Sequence, residues 1–106
     1  MHRTQITDIG LRELASFESL SVLDISETKV TDAGLKELAP LKNLAVLELD
    51  STRVTDAGVA HLKGMTRLRV LGLQCTAIGD AGLEHLKDLS HLEFLSLTNT
   101  QVTDAD

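Results

Sequence analysis

The 106-residue chain is predicted to fold as an α/β solenoid, in which one strand–turn–helix unit is repeated and stacked on itself. Two observations predict this fold. The phrase "TKVTDAGLKEL", which begins at Thr28, returns 24 residues later as "TRVTDAGVAHL" and again as "TAIGDAGLEHL". Each unit also contains one segment with apolar residues at strand spacing and one with apolar residues at helical spacing. Self-similarity at a fixed period of this length is the signature of a repeat architecture.

The 24-residue period divides the chain into units of one domain, 1–106. Three complete repeats are predicted at 20–43, 44–67 and 68–91. A partial repeat, 4–19, precedes them, and a truncated repeat, 92–106, follows them. One 24-residue unit has too few apolar side chains to fold alone, so the units are expected to be stable only when stacked.

The strands are predicted in the segments "VLDIS", "VLELD", "VLGLQ" and "FLSLT", where the Leu and Ile residues are two apart. A helix is predicted in "DAGLKELAPL", where Leu35, Leu38 and Leu41 follow helical intervals after an N-cap at Thr31 or Asp32. Pro40 and Gly64 are expected to end the first two complete helices. Because a helix connects each strand to the next, the strands must be parallel and the crossovers right-handed.

Three residue types recur at the corner between strand and helix. The threonine that follows each strand is expected to bond neighbouring backbone groups. The aspartate is expected to cap the helix N-terminus, and the glycine to allow close approach of adjacent elements. These columns are Thr4, Thr28, Thr52, Thr76 and Thr100; Asp8, Asp32, Asp56, Asp80 and Asp104; and Gly10, Gly34, Gly58 and Gly82. Phe17 occupies the Leu41 column and is predicted to be a core residue.

The composition argues against several classes of partner. A net charge of −6 disfavours nucleic acids and anionic membrane surfaces, and 2% aromatic residues leave no base-stacking platform. No apolar run approaches the roughly 20 residues that span a bilayer. The single cysteine, Cys75, and the absence of an apolar signal sequence favour a cytoplasmic location.

The strand segments "LSVLDISET", "LAVLELDST", "LRVLGLQCT" and "LEFLSLTNT", each followed by a corner such as "VTDAGL", resemble the leucine-rich repeat. The resemblance covers about residues 4–104. The repeat is similar to the 24-residue bacterial class and to the cysteine-containing class of ubiquitin-ligase receptors. Threonine stands where the receptor class usually has cysteine or asparagine, and this favours the bacterial class. The resemblance implies a curved solenoid that binds its ligand on the concave strand face.

Side chains between the inward leucines are predicted to point to that concave face. They form an apolar stripe beside an acidic patch, which predicts a protein or peptide partner with basic residues and an apolar anchor. Phe94 is either such an interface residue or a cover for the last coil. The predicted partner-binding residues are Val22, Asp24, Ser26, Val46, Glu48, Asp50, Val70, Gln74, Phe94, Ser96 and Thr98.

No catalytic, cofactor or metal site is predicted. His61 and His85 share one helix column, but adjacent helices lie about 8–10 Å apart, and outward side chains at that spacing seldom converge on one ion. Cys75 has no basic neighbour in its repeat column that would activate a thiol.

The two ends of the array lack polar caps. Either the chain is a segment of a longer array, or copies associate end to end through the last coil.

The leading prediction for the function is a non-catalytic interaction module. The alternatives are the substrate-recognition arm of a larger enzyme, such as a ubiquitin ligase or an effector, and a designed or excised scaffold without ligand.

Overall fold

Four short parallel strands form the centre of the computed structural model, which describes residues 8–14, 16, 17 and 19–101. The strands are β1 (Val22–Asp24), β2 (Val46–Glu48), β3 (Val70–Gly72) and β4 (Phe94–Ser96). They pair in chain order, and each residue lies opposite the residue 24 positions later, as Leu23, Leu47, Leu71 and Leu95 do. The predicted stack of parallel strands is confirmed.

A short helix precedes each strand. The helices are α1 (Asp8–Leu14), α2 (Asp32–Leu38), α3 (Asp56–Val59) and α4 (Asp80–His85). One turn of 3-10 helix continues α3 over Ala60–Leu62 and α4 over Leu86–Asp88. Pro40 and Gly64 each lie two residues beyond a helical segment, where the sequence predicted the helices to end.

The core lies between the strands and the helices and is built from the repeated apolar columns. In the repeat 44–67, Leu44, Leu47 and Leu49 are completely buried, and so are Val59 and Leu62 from the helical side. In the last described coil Leu92, Leu95 and Leu97 are only partly buried, although they pack against the same core. A coil is thus fully shielded only when it has a neighbour on both sides.

The prediction that Phe17 belongs to the core is wrong. Leu41 and Met65 in the same column are completely buried, whereas Phe17 is 58% exposed. Phe17 lies in the first described coil, which has no strand and only one neighbouring coil among the described residues. The column position therefore does not guarantee burial in a coil that lacks a neighbour on one side.

The threonine column has the predicted role. The hydroxyls of Thr28, Thr52 and Thr76 each donate to the backbone carbonyl three residues earlier, at 2.7 Å. All three threonines are buried, so each bond satisfies a carbonyl that turns into the core.

Asp32 and Asp56 do not cap their own helices, and the cap prediction is corrected for these two residues. The N-caps of α2 and α3 are Thr31 and Thr55, whose hydroxyls accept from the amides two residues later. Asp32 instead reaches the next coil, where Oδ1 accepts from the Thr55 amide at 2.7 Å and Oδ2 from its hydroxyl. Asp8 makes the same pair of bonds to Thr31.

This inter-coil contact continues where the threonine is missing. Gly79 stands in the column of the N-cap threonines Thr31 and Thr55, and Asp56 Oδ1 accepts from its amide at 2.7 Å. The aspartates remain in the first turn of their own helices, where a negative charge suits the helix dipole. Their hydrogen bonds, however, join one coil to the next.

The glycine column makes room for these carboxylates. A Cβ atom at Gly58 would overlap Asp32 Oδ1 and would lie 3.1 Å from Leu35 Cδ1. At Gly34 it would overlap the carboxylate of Asp8, and at Gly82 that of Asp56. The predicted close approach is therefore confirmed, and the group that approaches is the aspartate of the preceding coil.

A fourth column adopts a left-handed backbone conformation that the sequence did not predict. Glu27, Ser51, Cys75 and Asn99 have φ between 57° and 60°. The amides of the first three donate to carbonyls of the following coil, at 2.8–3.0 Å, and so extend the ladder beyond the strands. Only asparagine among these residue types adopts this conformation readily.

Gly58→Ala is expected to lower the free energy of unfolding by about 1–3 kcal/mol, because the added methyl group would displace the Asp32 carboxylate. This loss should outweigh the gain in helix propensity of about 1 kcal/mol. Gly64→Ala is the matched control, since its Cβ would meet only the mobile end of Lys42. Urea unfolding measures both variants. Equal losses of unfolding free energy for the two substitutions would contradict the proposed contact between position 58 and the Asp32 carboxylate. So would a loss for Gly58→Ala that stays the same in an Asp32→Ala background.

Ser51→Asn is expected to raise the free energy of unfolding by about 0.5 kcal/mol, and Ser51→Val to lower it by about 1–2 kcal/mol, because φ is 59° at this position. Ser90→Val, at an exposed site outside the left-handed column, should change it by less than about 0.5 kcal/mol. Thermal or urea unfolding distinguishes these outcomes. Similar effects of valine at both positions would refute the expected strain.

Candidate binding surface

The first concave column forms an apolar stripe across all four strands. Strand register places Val22, Val46, Val70 and Phe94 side by side. Val22 is 55% exposed and Phe94 58%, while the two central valines are half-buried. These are the exposed positions that the sequence predicted for this column.

An acidic cluster, made of Asp24, Glu48 and Asp50, lies beside the stripe. Asp24 and Glu48 are direct partners in the register of β1 and β2. The side chains of Glu48 and Asp50 lean towards the repeat 68–91, where Gly72 has no side chain to exclude them. Asp50 Oδ1 accepts from the backbone amide of Gln74 at 2.8 Å, which fixes this carboxylate in place.

The electrostatics of the cluster are unfavourable in the free protein. Partial burial raises the pKa of Glu48, and the negative charges of Asp50 and Asp24 raise it further. The raised pKa shows that the ionised form of Glu48 is less stable here than in water. A cation placed over the cluster would relieve this repulsion.

The remaining predicted positions, Ser26, Gln74, Ser96 and Thr98, contribute less surface than their sequence suggests. Ser26 and Ser96 are buried, and the Ser96 hydroxyl accepts from Gln74 Nε2 at 2.6 Å. Gln74 is half-buried, and Thr98 is exposed. The accessible part of the predicted face therefore consists of the apolar stripe, the acidic cluster, Gln74 and Thr98.

A groove that the sequence analysis missed lies at the N-terminal edge of the strands. It has a volume of about 450 Å³. Its lining comes from loop residues ahead of β2, β3 and β4 rather than from the strands: Asn43, Ala45, Arg67, Arg69, His91 and Glu93. The prediction considered only side chains between the inward leucines. The signal that could have found the groove is "TRLRVL", which places two arginines directly before a strand.

The groove contains one complete ion pair and one arginine with a neutral partner. Arg69 binds Glu93 with two hydrogen bonds of 3.1 Å. The hydrogen bond and charge of Arg69, together with the charge of His91, lower the pKa of Glu93. Arg67 Nη1 donates to Asn43 Oδ1 at 2.9 Å, so its charge is not neutralised by that bond.

The other candidate groups remain separate. Among the described residues, no three histidine, cysteine or carboxylate side chains converge as a metal site would require. Cys75 is exposed, and its Sγ accepts from Asn99 Nδ2 at 3.7 Å. Within the same part of the chain, no helix has the length and apolar character needed to cross a bilayer.

Glu48→Gln is expected to stabilise the protein at about pH 7 by a few tenths of a kcal/mol, because it removes a charge repelled by Asp24 and Asp50. A carboxyl group with a raised folded-state pKa stabilises the fold below its unfolded value of 4.5, and this contribution is lost as pH rises through the folded value. The gain from Gln should therefore vanish at about pH 3.5. Urea unfolding at both pH values tests this. A gain that is the same at both would contradict the expected repulsion.

Two family models match the chain. Residues 42–102 match a model described as "Leucine rich repeat", and residues 18–39 match a second model with the same description. No curated protein matches the chain significantly.

Two solved internalin structures from Listeria monocytogenes are similar to the chain. Internalin C2 aligns with a TM-score of 0.78 and 32% sequence identity, over 89% of this chain and 39% of that protein. A second internalin, inlF, aligns with a TM-score of 0.61 and 27% identity, over 94% of this chain and 34% of that protein. The chain thus spans less than half the length of either internalin. Their bacterial origin agrees with the resemblance to the 24-residue bacterial repeat class.

The family model that covers residues 42–102, the similarity to internalin C2 and the observed stack of parallel strands lead to one conclusion. The chain belongs to the leucine-rich-repeat family.

Proposed function

We propose that the chain is a non-catalytic binding module that holds a protein segment or peptide on its concave strand face. Leucine-rich-repeat domains generally bind proteins, and the proposal adds the chemistry of the ligand. That ligand carries a lysine or arginine, which pairs with Glu48 and Asp50, next to an apolar side chain, which packs on Val22, Val46, Val70 or Phe94. In this proposal the chain itself is a segment of a longer repeat array, in keeping with the greater length of both internalins.

The observation that carries the proposal is the position of the acidic cluster, in which Glu48 lies opposite Asp24 in the strand register and both Glu48 and Asp50 lean over Gly72; the raised pKa of Glu48 agrees with this crowding. Three carboxylates are grouped here on partly buried positions; Asp50 also accepts from the Gln74 amide of the next coil, and Glu48 is the member whose ionised form is disfavoured. A ligand cation would gain favourable contacts with all three and would also relieve their repulsion.

The apolar stripe supplies the second part of the interaction. Val22 and Phe94 are more than half exposed. Covering apolar surface yields about 25 cal/mol per Å², and exposed aromatic side chains often dominate binding energy. Because the stripe runs across the strands next to the acidic cluster, one extended ligand can contact both.

End-to-end association of copies is a separate proposal about the last coil. Leu95 and Leu97 are partly buried, and β4 pairs only with β3 among the described residues. Val102 to Asp106, on which the predicted open end also depends, lie outside the described residues.

Selection from a random dodecapeptide display library tests the proposed function. Peptides selected on the wild-type chain should be enriched in lysine or arginine next to an apolar residue. The double variant Glu48→Gln with Asp50→Asn should lose the enrichment in basic residues, because it removes both charges. This variant keeps a side-chain oxygen at position 50 to accept from the Gln74 amide.

Glu13→Gln with Glu84→Gln is the matched control, because it removes two exposed carboxylates from helices α1 and α4. It should select the same peptides as the wild type. The proposal is wrong if the wild type selects no peptides, or if the concave double variant and the wild type select the same basic residues.

A further inference from the structure

The groove at the N-terminal edge of the strands differs in charge from the rest of the chain. The whole sequence has 16 acidic residues and 10 lysines and arginines. In the groove, by contrast, Arg67 and Arg69 face a single carboxylate, that of Glu93, with His91 beside it. A local positive site on an acidic protein attracts a group of opposite charge.

The two arginines are not equivalent. Arg69 already has a bidentate carboxylate partner, so its charge is balanced within the protein. The hydrogen-bond partner of Arg67 is the neutral amide oxygen of Asn43. That bond uses one of the five N–H groups of a guanidinium, and it positions the side chain at the groove wall. Arg67 therefore keeps N–H groups and a full positive charge for a carboxylate ligand.

The groove is continuous with the proposed binding face. Arg69 immediately precedes Val70 of the apolar stripe, and Phe94 follows Glu93. Glu48 lies one strand away from Arg67 and five residues further along the strand direction. At about 3.3 Å per residue along a strand and about 4.8 Å between strands, the two positions are separated by roughly 17 Å. The apolar stripe lies between them.

We propose that Arg67, positioned by Asn43 and supported by His91, is a carboxylate subsite for an aspartate or glutamate of the ligand. This inference rests on the proposed function, since it concerns the same ligand. An extended ligand bound in this way carries a basic residue over Glu48 and Asp50. Its acidic residue lies about five positions away, and an apolar residue lies between the two. The opposite charges at the two ends of the site also fix the direction in which the ligand lies.

A peptide carboxylate fits the groove better than a nucleic-acid phosphate. A phosphate backbone would need a series of cations, and its remaining charges would face the acidic cluster on the same surface. A planar carboxylate needs only one guanidinium with two free N–H groups in a fork. The chain offers that group at Arg67.

The same dodecapeptide library tests this inference when it is selected on the wild type, Arg67→Gln and Arg67→Lys. Wild-type peptides should contain aspartate or glutamate about five positions from the basic residue. The Arg67→Gln pool should lose this acidic residue but keep the basic and apolar ones, and Arg67→Lys should partly restore it. Lys36→Gln, which removes an exposed charge from helix α2, should select as the wild type does.

A synthetic peptide from the wild-type pool then gives the magnitude. Replacing its acidic residue by glutamine should weaken binding to the wild type about five- to tenfold, and to Arg67→Gln less than about twofold. Basic and apolar peptides without an acidic residue would overturn the carboxylate subsite and leave the proposed function intact. An acidic residue that survives Arg67→Gln would also overturn it. A wild-type chain that selects no peptide at all would overturn both proposals.

Discussion

The structure depends on contacts that each coil makes with the next. The aspartate in the first turn of one helix accepts hydrogen bonds from the amide and hydroxyl of the threonine that caps the next helix, as Asp32 does with Thr55. Gly58 leaves the space that this carboxylate occupies. The same interface includes the strand ladder, in which each residue bonds to the coil 24 residues away. The repeated phrase therefore describes an interface, in which the aspartate, the N-cap threonine and the glycine each contact two coils.

This interface also creates the proposed binding face. Because the register is fixed at 24 residues, side chains from equivalent positions lie side by side, and their charges act together. Partial burial and the charge of Asp50 raise the pKa of Glu48, and so does the charge of Asp24, which lies directly opposite in the adjacent strand. Arg67 meets Asn43 for the same reason, since the two occupy one column. The ligand chemistry proposed for the concave face follows from the residue types that the stack brings together.

The fold could be predicted from sequence because apolar spacing reports directly on strand and helix periodicity. The threonine role was also predictable, since its hydroxyl bonds a carbonyl three residues away. The aspartate role was not, because a local pattern places Asp32 at a helix start but does not show that its partner is 23 residues later. The predicted burial of Phe17 was wrong because burial in a repeat depends on having neighbouring coils on both sides. The groove around Arg67 was missed because side chains in the loops show no strand or helix periodicity. The predicted binding residues remain a hypothesis about function.

The central claim is that a coil is ordered by its neighbours and not by its own contacts. A peptide that comprises residues 44–67 contains a complete repeat, with strand β2, helix α3 and seven of the apolar positions that are buried in the full chain. NMR chemical shifts of this peptide, compared with those of the same residues in the full chain, test the claim most directly. The account predicts random-coil shifts in the peptide and dispersed shifts in the chain. Native-like shifts in the isolated repeat would contradict it.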